Sequence, residues 1–139
     1  MTLEEAKRFI TSEARTGKIA VVREDGSPMV VPIWFDLDVD GSIVFTTWHE
    51  TIKARSIRRE PRVCICVDDE APPFHYVRID GKAQVIDDLE LLRRWATRLA
   101  ARYMGPDLAD AYGKRNSVPG ELVVRVTPVR IIGLAEIAA

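Results

Sequence analysis

The sequence predicts a mostly β domain with flanking helices, its six or seven antiparallel strands curled into a closed or nearly closed barrel. Three observations carry that expectation. Short β-branched, apolar runs follow one another at hairpin spacing. Two Asp-Gly pairs, Asp25-Gly26 and Asp40-Gly41, stand between such runs, and Asp-Gly is the strongest short hairpin signal. The 139 residues contain no linker, repeat or low-complexity stretch, so residues 1–139 read as one domain with one core.

The first element is a helix over residues 2–16. Thr2-Leu-Glu-Glu5 fits a capping box, Leu3, Ala6, Phe9, Ile10 and Ala14 make one apolar stripe, and Gly17 is the stop. KIAVVR (18–23), MVVPIWFDLD (29–38) and SIVFTT (42–47) follow as an antiparallel meander. Pro32 removes a ladder donor, which marks an edge or a bulge. Residues 51–59 form a short helix, stopped ahead of Pro61. RVCICVD (62–68) is the fourth strand. FHYVRIDGKAQVID (74–87) is a long fifth strand with a bulge at Gly81. Asp87 or Asp88 caps a helix running to about Tyr103, with Leu91, Leu92, Trp95, Leu99 and Tyr103 on its apolar face. Gly105-Pro106 ends it, and 107–113 give another short helical turn. The closing ELVVRVTPVRIIGLAEI reads as one long strand or two, broken near Pro128.

Twenty basic residues oppose 21 acidic ones, a net charge of −1. That argues against a dedicated nucleic-acid binder, so any anion site must be local. No run approaches the roughly 20 apolar residues that span a bilayer, and the first residues lack a signal peptide's apolar run. Cys64 and Cys66, two apart on one strand, read as buried free thiols. A cytoplasmic protein without membrane contact is the expectation. His49 and His75 lack the Cys/His spacing of a zinc site, so no metal is expected.

Residues 45–63, FTTWHETIKARSIRREPRV, concentrate threonine and basic residues where a strand hands over to a helix. Helix N-termini present unpaired N–H groups and a dipole that favours anions. Thr46, Thr47 and Thr51 add hydroxyl donors, Lys53 adds charge, and Arg55 is close enough to reach round. The alternative is a solvated basic face with Thr51 as a plain N-cap; spacing alone leaves both open. Trp34 and Phe35 are adjacent, so a strand points them to opposite faces, one to the core and one to a partner or flat ligand. Tyr76 and Arg78 share a strand face. An arginine there suits a bidentate carboxylate or phosphate, or an ion pair with Asp80 or a neighbouring acid.

Four stretches together resemble the pyridoxamine 5′-phosphate oxidase-like flavin/deazaflavin oxidoreductase superfamily. GKIAVVREDGSPMVVPIWFDLD resembles its opening hairpin, a D-G-x-P turn leading to a V-P-(V/I)-W-F strand. SIVFTTWHETIKARSIRREPRVCICVDD resembles its F-T-T, T-x-K and R-R-x-P-R-V block. YVRIDGKAQVIDD and VVRVTPVRIIG resemble two later strands. The resemblance implies an FMN-binding type split β-barrel, homodimeric, with two cofactor sites at the subunit interface. It implies that Thr46, Thr47, Thr51 and Lys53 hold the cofactor phosphate. Val31, Pro32, Ile33 and Trp34 would flank the ring, and Tyr76 and Arg78 would border the site.

Residues 29–34 are uncharged, where the oxidase carries an arginine and a lysine. Tyr76 replaces the glutamine of its R-Q-V-R stretch, and the chain is shorter than the oxidase. These differences resemble the branch that uses coenzyme F420, a deazaflavin with a phosphodiester-linked oligoglutamate tail that suits Arg55, Arg58 and Arg59. The implied function is an F420-dependent reductase, passing a hydride from the deazaflavin C5 to an electron-poor small-molecule acceptor. Water, Tyr76 or His75 would supply the proton. Two alternatives stand beside it: an FMN-dependent oxidase or reductase, and a non-catalytic cofactor or haem carrier on the same fold.

Overall fold

A computed structural model describes residues 1–139. Its strands are β1 (Gly17–Val22), β2 (Pro28–Ile33), β3 (Asp36–Leu37), β4 (Ile43–Trp48), β5 (Arg62–Asp68), β6 (Tyr76–Ile86) and β7 (Glu121–Leu134). They pair antiparallel in the order β2-β1-β5-β6-β7-β4-β3. This sheet curls into a half-barrel with β2 and β3 as its edges. Four helices flank it: α1 (Leu3–Ser12), α2 (Ile52–Arg59), α3 (Leu89–Met104) and α4 (Ala109–Arg115). The expected α+β class and strand number are those observed.

Both Asp-Gly pairs make their turns. Arg23 N donates to Ser27 O at 2.9 Å, and Asp38 N to Ser42 O at 2.8 Å. Pro32 lies on the edge strand β2, where a missing donor costs no ladder bond. The long pair β6–β7 is the spine, and its register shifts between Asp80 and Gly81. Pro128 stands opposite Gly81. The bulge absorbs the proline, so β7 runs on as one strand.

Three expected boundaries moved. α1 ends at Ser12 rather than Thr16, because side chains from beyond its end claim the carbonyls around its C-terminus. Arg15 Nη1 donates to Phe9 O at 2.7 Å, and Arg102 Nη2 donates to Ile10 O at 2.8 Å and Glu13 O at 2.9 Å. The expected strand 29–38 is split into β2 and β3. The Tyr103 hydroxyl accepts from Phe35 N at 3.1 Å between them, where a ladder partner would otherwise stand. The strand expected from residue 74 starts at Tyr76.

Alternation sets the core. Val63, Ile65 and Val67 of β5 and Val77 and Ile79 of β6 point inward with Ile19, Phe35, Phe45 and Val124, joined by Ile10 of α1 and Ile57 of α2. Cys64, Cys66, Tyr76 and Arg78 alternate to the outer face. β4 is buried on both faces, since Val44 packs outward against Leu92 and Trp95 of α3. That packing sets α3 beside the end of β4, where the strand hands over to α2.

Candidate functional site

Only His49, Glu50 and Thr51 separate β4 from α2. Thr51 caps the helix: its hydroxyl accepts from Ala54 N at 3.1 Å and donates to Trp48 O at 3.0 Å. The buried Thr47 hydroxyl, 3.0 Å from that of Thr51, therefore donates to it. These two threonines build the turn. Across it, His49 N donates to Gly120 O at 2.8 Å, and the ring Nδ1 lies 3.0 Å from the same oxygen.

Thr46 and Lys53 face the other way, into a pocket of about 180 Å³. They form one wall. Pro32, Ile33 and Trp34 form a second, and Ala96 and Leu99 of α3 with Asn116 form the third. Trp34 is held by stacking on Tyr103, with ring centroids 5.1 Å apart and planes 6° from parallel. The Tyr103 hydroxyl is in turn fixed by donating to Arg15 O at 2.7 Å. One indole face is thus covered and the ring edge is set at the pocket.

The electrostatics single out Lys53. It takes part in none of the ion pairs, and its ammonium lies 5.7 Å from the Phe45 ring centroid. It also stands in the first turn of α2, which has no acidic residue. A cation there opposes the helix dipole. Burial pulls the Lys53 ammonium below its ordinary value, against the attraction of Glu121. Burial likewise pushes Glu121 up, against Lys53 and His49. A half-buried cation without a contact partner is costly, and a pocket beside it is suited to an anion.

The structure brings together Pro32, Ile33, Trp34, Thr46 and Lys53 of the expected residues, with Thr47 and Thr51 behind them. Val31 packs against the core instead. Arg55 lies on the other flank of α2, in a larger surface groove of about 440 Å³ with Arg23, Asp25 and Arg59. Tyr76 and Arg78 sit on the outer face, where Arg78 Nε is 3.7 Å from Asp80 Oδ1. Beside them, His75 Nδ1 accepts from Glu136 N at 3.1 Å. The sequence reading did not find Asn116 or Glu121. Asn116 follows α4 and Glu121 opens an apolar strand, and neither position carries a local signal for a site.

The family described as pyridoxamine 5′-phosphate oxidase matches residues 2–135. The chain belongs to that family. A pyridoxine/pyridoxamine 5′-phosphate oxidase of Myxococcus xanthus is 30% identical over 103 residues, 73% of this chain and 49% of that protein. The chain thus spans about half the length of the curated relatives it matches. Among solved structures, a conserved hypothetical protein of Mycobacterium tuberculosis superposes with a TM-score of 0.85 at 27% identity, covering 98% of this chain and 86% of that one. An F420 reductase shares the fold at TM-score 0.71 and 24% identity, covering 90% and 94%. The haem storage protein of Vibrio cholerae shares it at 0.73 and 21%, covering 95% and 94%. The fold is thus shared with an F420 reductase and with a haem storage protein. No helix of the chain is long and apolar enough to cross a membrane.

Proposed function

We propose that this chain binds a phosphate-bearing flavin-type cofactor at the Lys53 pocket and acts as an F420-dependent reductase of electron-poor small molecules. The observation that carries the reading is Lys53 itself. It is a half-buried ammonium without an ion-pair partner, in the first turn of α2 beside Thr46 and Trp34. Charge-assisted hydrogen bonds to a phosphate supply the compensation that the protein withholds.

When bound, such a cofactor supplies hydride transfer, and the protein supplies binding, orientation and electrostatics. Lys53 and Thr46 hold the phosphate. Trp34, stacked on Tyr103, gives a rigid edge along which a flat ring is oriented. Ala96 and Leu99 keep water from that wall.

The pocket volume of about 180 Å³ suits a phosphate and its linker. Sites for whole drug-sized ligands run to about 300–1,000 Å³. That shortfall supports a homodimer with the ring enclosed between subunits. The uncharged β2 supports F420 as the cofactor. The 30% identity to an oxidase over most of this chain supports FMN as the second reading.

Titration of the purified protein with coenzyme F420 and with FMN, followed by tryptophan quenching, tests the proposal. Binding of F420 followed by oxidation of its reduced form by a quinone or enone is the expected result. Preference for FMN moves the chain to the second reading. Binding of neither leaves a carrier of another ligand as the better account.

A further inference from the structure

We propose that Asn116 is a phosphate-binding residue of the Lys53 pocket, its side-chain amide donating to a phosphate oxygen from the wall that α3 and the end of α4 build. The inference rests on the cofactor reading above and deepens it, because it adds a third polar contact, from a third part of the chain, to those of Thr46 and Lys53.

Asn116 follows the last turn of α4. Asparagine is favoured at helix ends where the backbone turns left-handed. Here φ is −96° and ψ is 3°, a conformation open to any residue, so the backbone does not call for this side chain. Its N–H donates to Tyr112 O at 2.9 Å, as any residue but proline could. The carboxamide itself bonds to nothing in the chain. It is half-buried and lines the pocket. The docking of α4 fixes its place: α4 lies so close on α3 that a Cβ on Gly113 would stand 2.2 Å from Thr97 Oγ1, and Ala96 and Leu99 of α3 line the same pocket.

Beside the Trp34 indole, Thr46, Lys53 and Asn116 are the polar side chains that line this pocket. None of these three makes a side-chain hydrogen bond or an ion pair within the chain. They come from β4, α2 and the end of α4, so unpartnered donors from three separate elements meet at one small space. A carboxamide carries two N–H donors and no charge, and an ammonium carries three donors and no acceptor. A phosphate offers several acceptor oxygens to such a set, and bonds to a charged acceptor are the stronger kind. Lys53 meets the charge, while Thr46 and Asn116 set the orientation. About 180 Å³ takes a phosphate and its linker, so the amide meets the phosphate and not the ring.

The test is titration of the intact protein with coenzyme F420 and with FMN, and with inorganic phosphate as a competitor of whichever cofactor binds, in wild type, Asn116→Ala, Asn116→Asp and Ser117→Ala. Asn116→Ala changes no charge and is expected to lose about tenfold in cofactor affinity and the same factor in phosphate affinity, the scale of a hydrogen bond to a charged group. Asn116→Asp puts a carboxylate where the donors stood and is expected to lose about a hundredfold at neutral pH. Its melting temperature should stay level or rise, since the carboxylate gives Lys53 a counter-charge; a disrupted α4 would lower it. Ser117, next along the turn, does not line the pocket, and Ser117→Ala is expected to bind as wild type. Three results overturn the inference and leave the cofactor reading intact. One is an Asn116→Ala affinity within about twofold of wild type. Another is a loss of cofactor affinity at unchanged phosphate affinity, which would put the amide on the ring. The third is an equal loss in Ser117→Ala, which would trace the effect to the turn. A wild type that binds neither cofactor brings down the cofactor reading, and this inference with it.

Discussion

The hydroxyls of Thr47 and Thr51 meet at 3.0 Å, and this contact ties the buried end of β4 to the first turn of α2. Thr51 also caps Ala54 N and bonds Trp48 O, so one side chain holds strand, loop and helix in register. Thr51→Ala removes all three bonds. It is expected to destabilise the protein by about 1–2 kcal/mol, the upper range for a lost N-cap, and to lower cofactor affinity by misplacing Lys53. Thr51→Ser keeps the hydroxyl and should recover most of both. Urea unfolding with parallel cofactor titration reads the two effects.

Lys53 sets function against stability. Its ammonium is held below its ordinary value first by burial. A group depressed in this way adds stability only above its unfolded pKa, and that stability is lost as pH falls through the folded value. At neutral pH the protein therefore carries the cost of a charged, half-buried lysine. Lys53→Met is expected to abolish tight phosphate binding, a loss of about 1.5–3 kcal/mol for a charge-assisted contact, while the melting temperature stays level or rises. The stability gain of Lys53→Met over wild type should shrink as pH approaches the ordinary lysine value. A difference constant with pH would show that Lys53 is not penalised by burial.

What was legible in the sequence was local. Asp25-Gly26 and Asp40-Gly41 turn through their own backbone and carboxylates, Thr51 caps through a neighbour three residues away, and Gly81 marks its bulge. What was not legible depends on partners far along the chain. Phe35 N finds the Tyr103 hydroxyl across 68 residues, which breaks a run that alternation reads as one strand. The end of α1 is set by Arg102, about ninety residues on. The site divides in the same way. The T-T and T-x-K spacing pointed to the β4–α2 handover, but only the fold shows that Thr46 and Lys53 face the pocket while Thr47 and Thr51 face each other. Asn116 enters through the packing of α4 on α3, where a Cβ on Gly113 would stand 2.2 Å from Thr97 Oγ1. No periodicity reports such an approach.

Tyr103 links α3 to the pocket wall. Its hydroxyl donates to Arg15 O and accepts from Phe35 N, and its ring stacks on Trp34. Tyr103→Phe keeps the stack but leaves both backbone groups without that partner. A loss of about 1–3 kcal/mol is expected, the scale for unsatisfied buried groups. Trp34→Phe should remove the quenching signal of cofactor binding while retaining much of the affinity, because phosphate contacts lie elsewhere. Fluorescence titration of the two variants distinguishes these roles.

Gly120 closes the loop behind the site. Its φ of +101° is left-handed, and a Cβ would stand 2.5 Å from the Trp48 ring. Gly120→Ala is expected to cost about 1–3 kcal/mol through backbone strain and to push Trp48 outward, loosening the His49–Gly120 bonds. A wild-type melting temperature in Gly120→Ala would mean that the loop relaxes freely.

The outer face of the barrel bears on assembly. A groove of about 410 Å³ runs over Ala20, Val22, Pro28, Gly81 and Val129. Val129 is 71% exposed and Val30, on the edge strand, 64%. Apolar side chains gathered on one sheet face are suited to a second copy of the chain. Sedimentation of the wild type at micromolar concentration is expected to give a dimer. Val30→Lys and Val129→Lys, both at exposed positions, should shift it toward monomer without changing the melting of the isolated fold. If the partner encloses the cofactor ring, affinity falls in step with dimer content, and the pocket at Lys53 retains only weak phosphate binding. A wild type that sediments as a monomer, with undiminished cofactor affinity, would place the whole site within one chain.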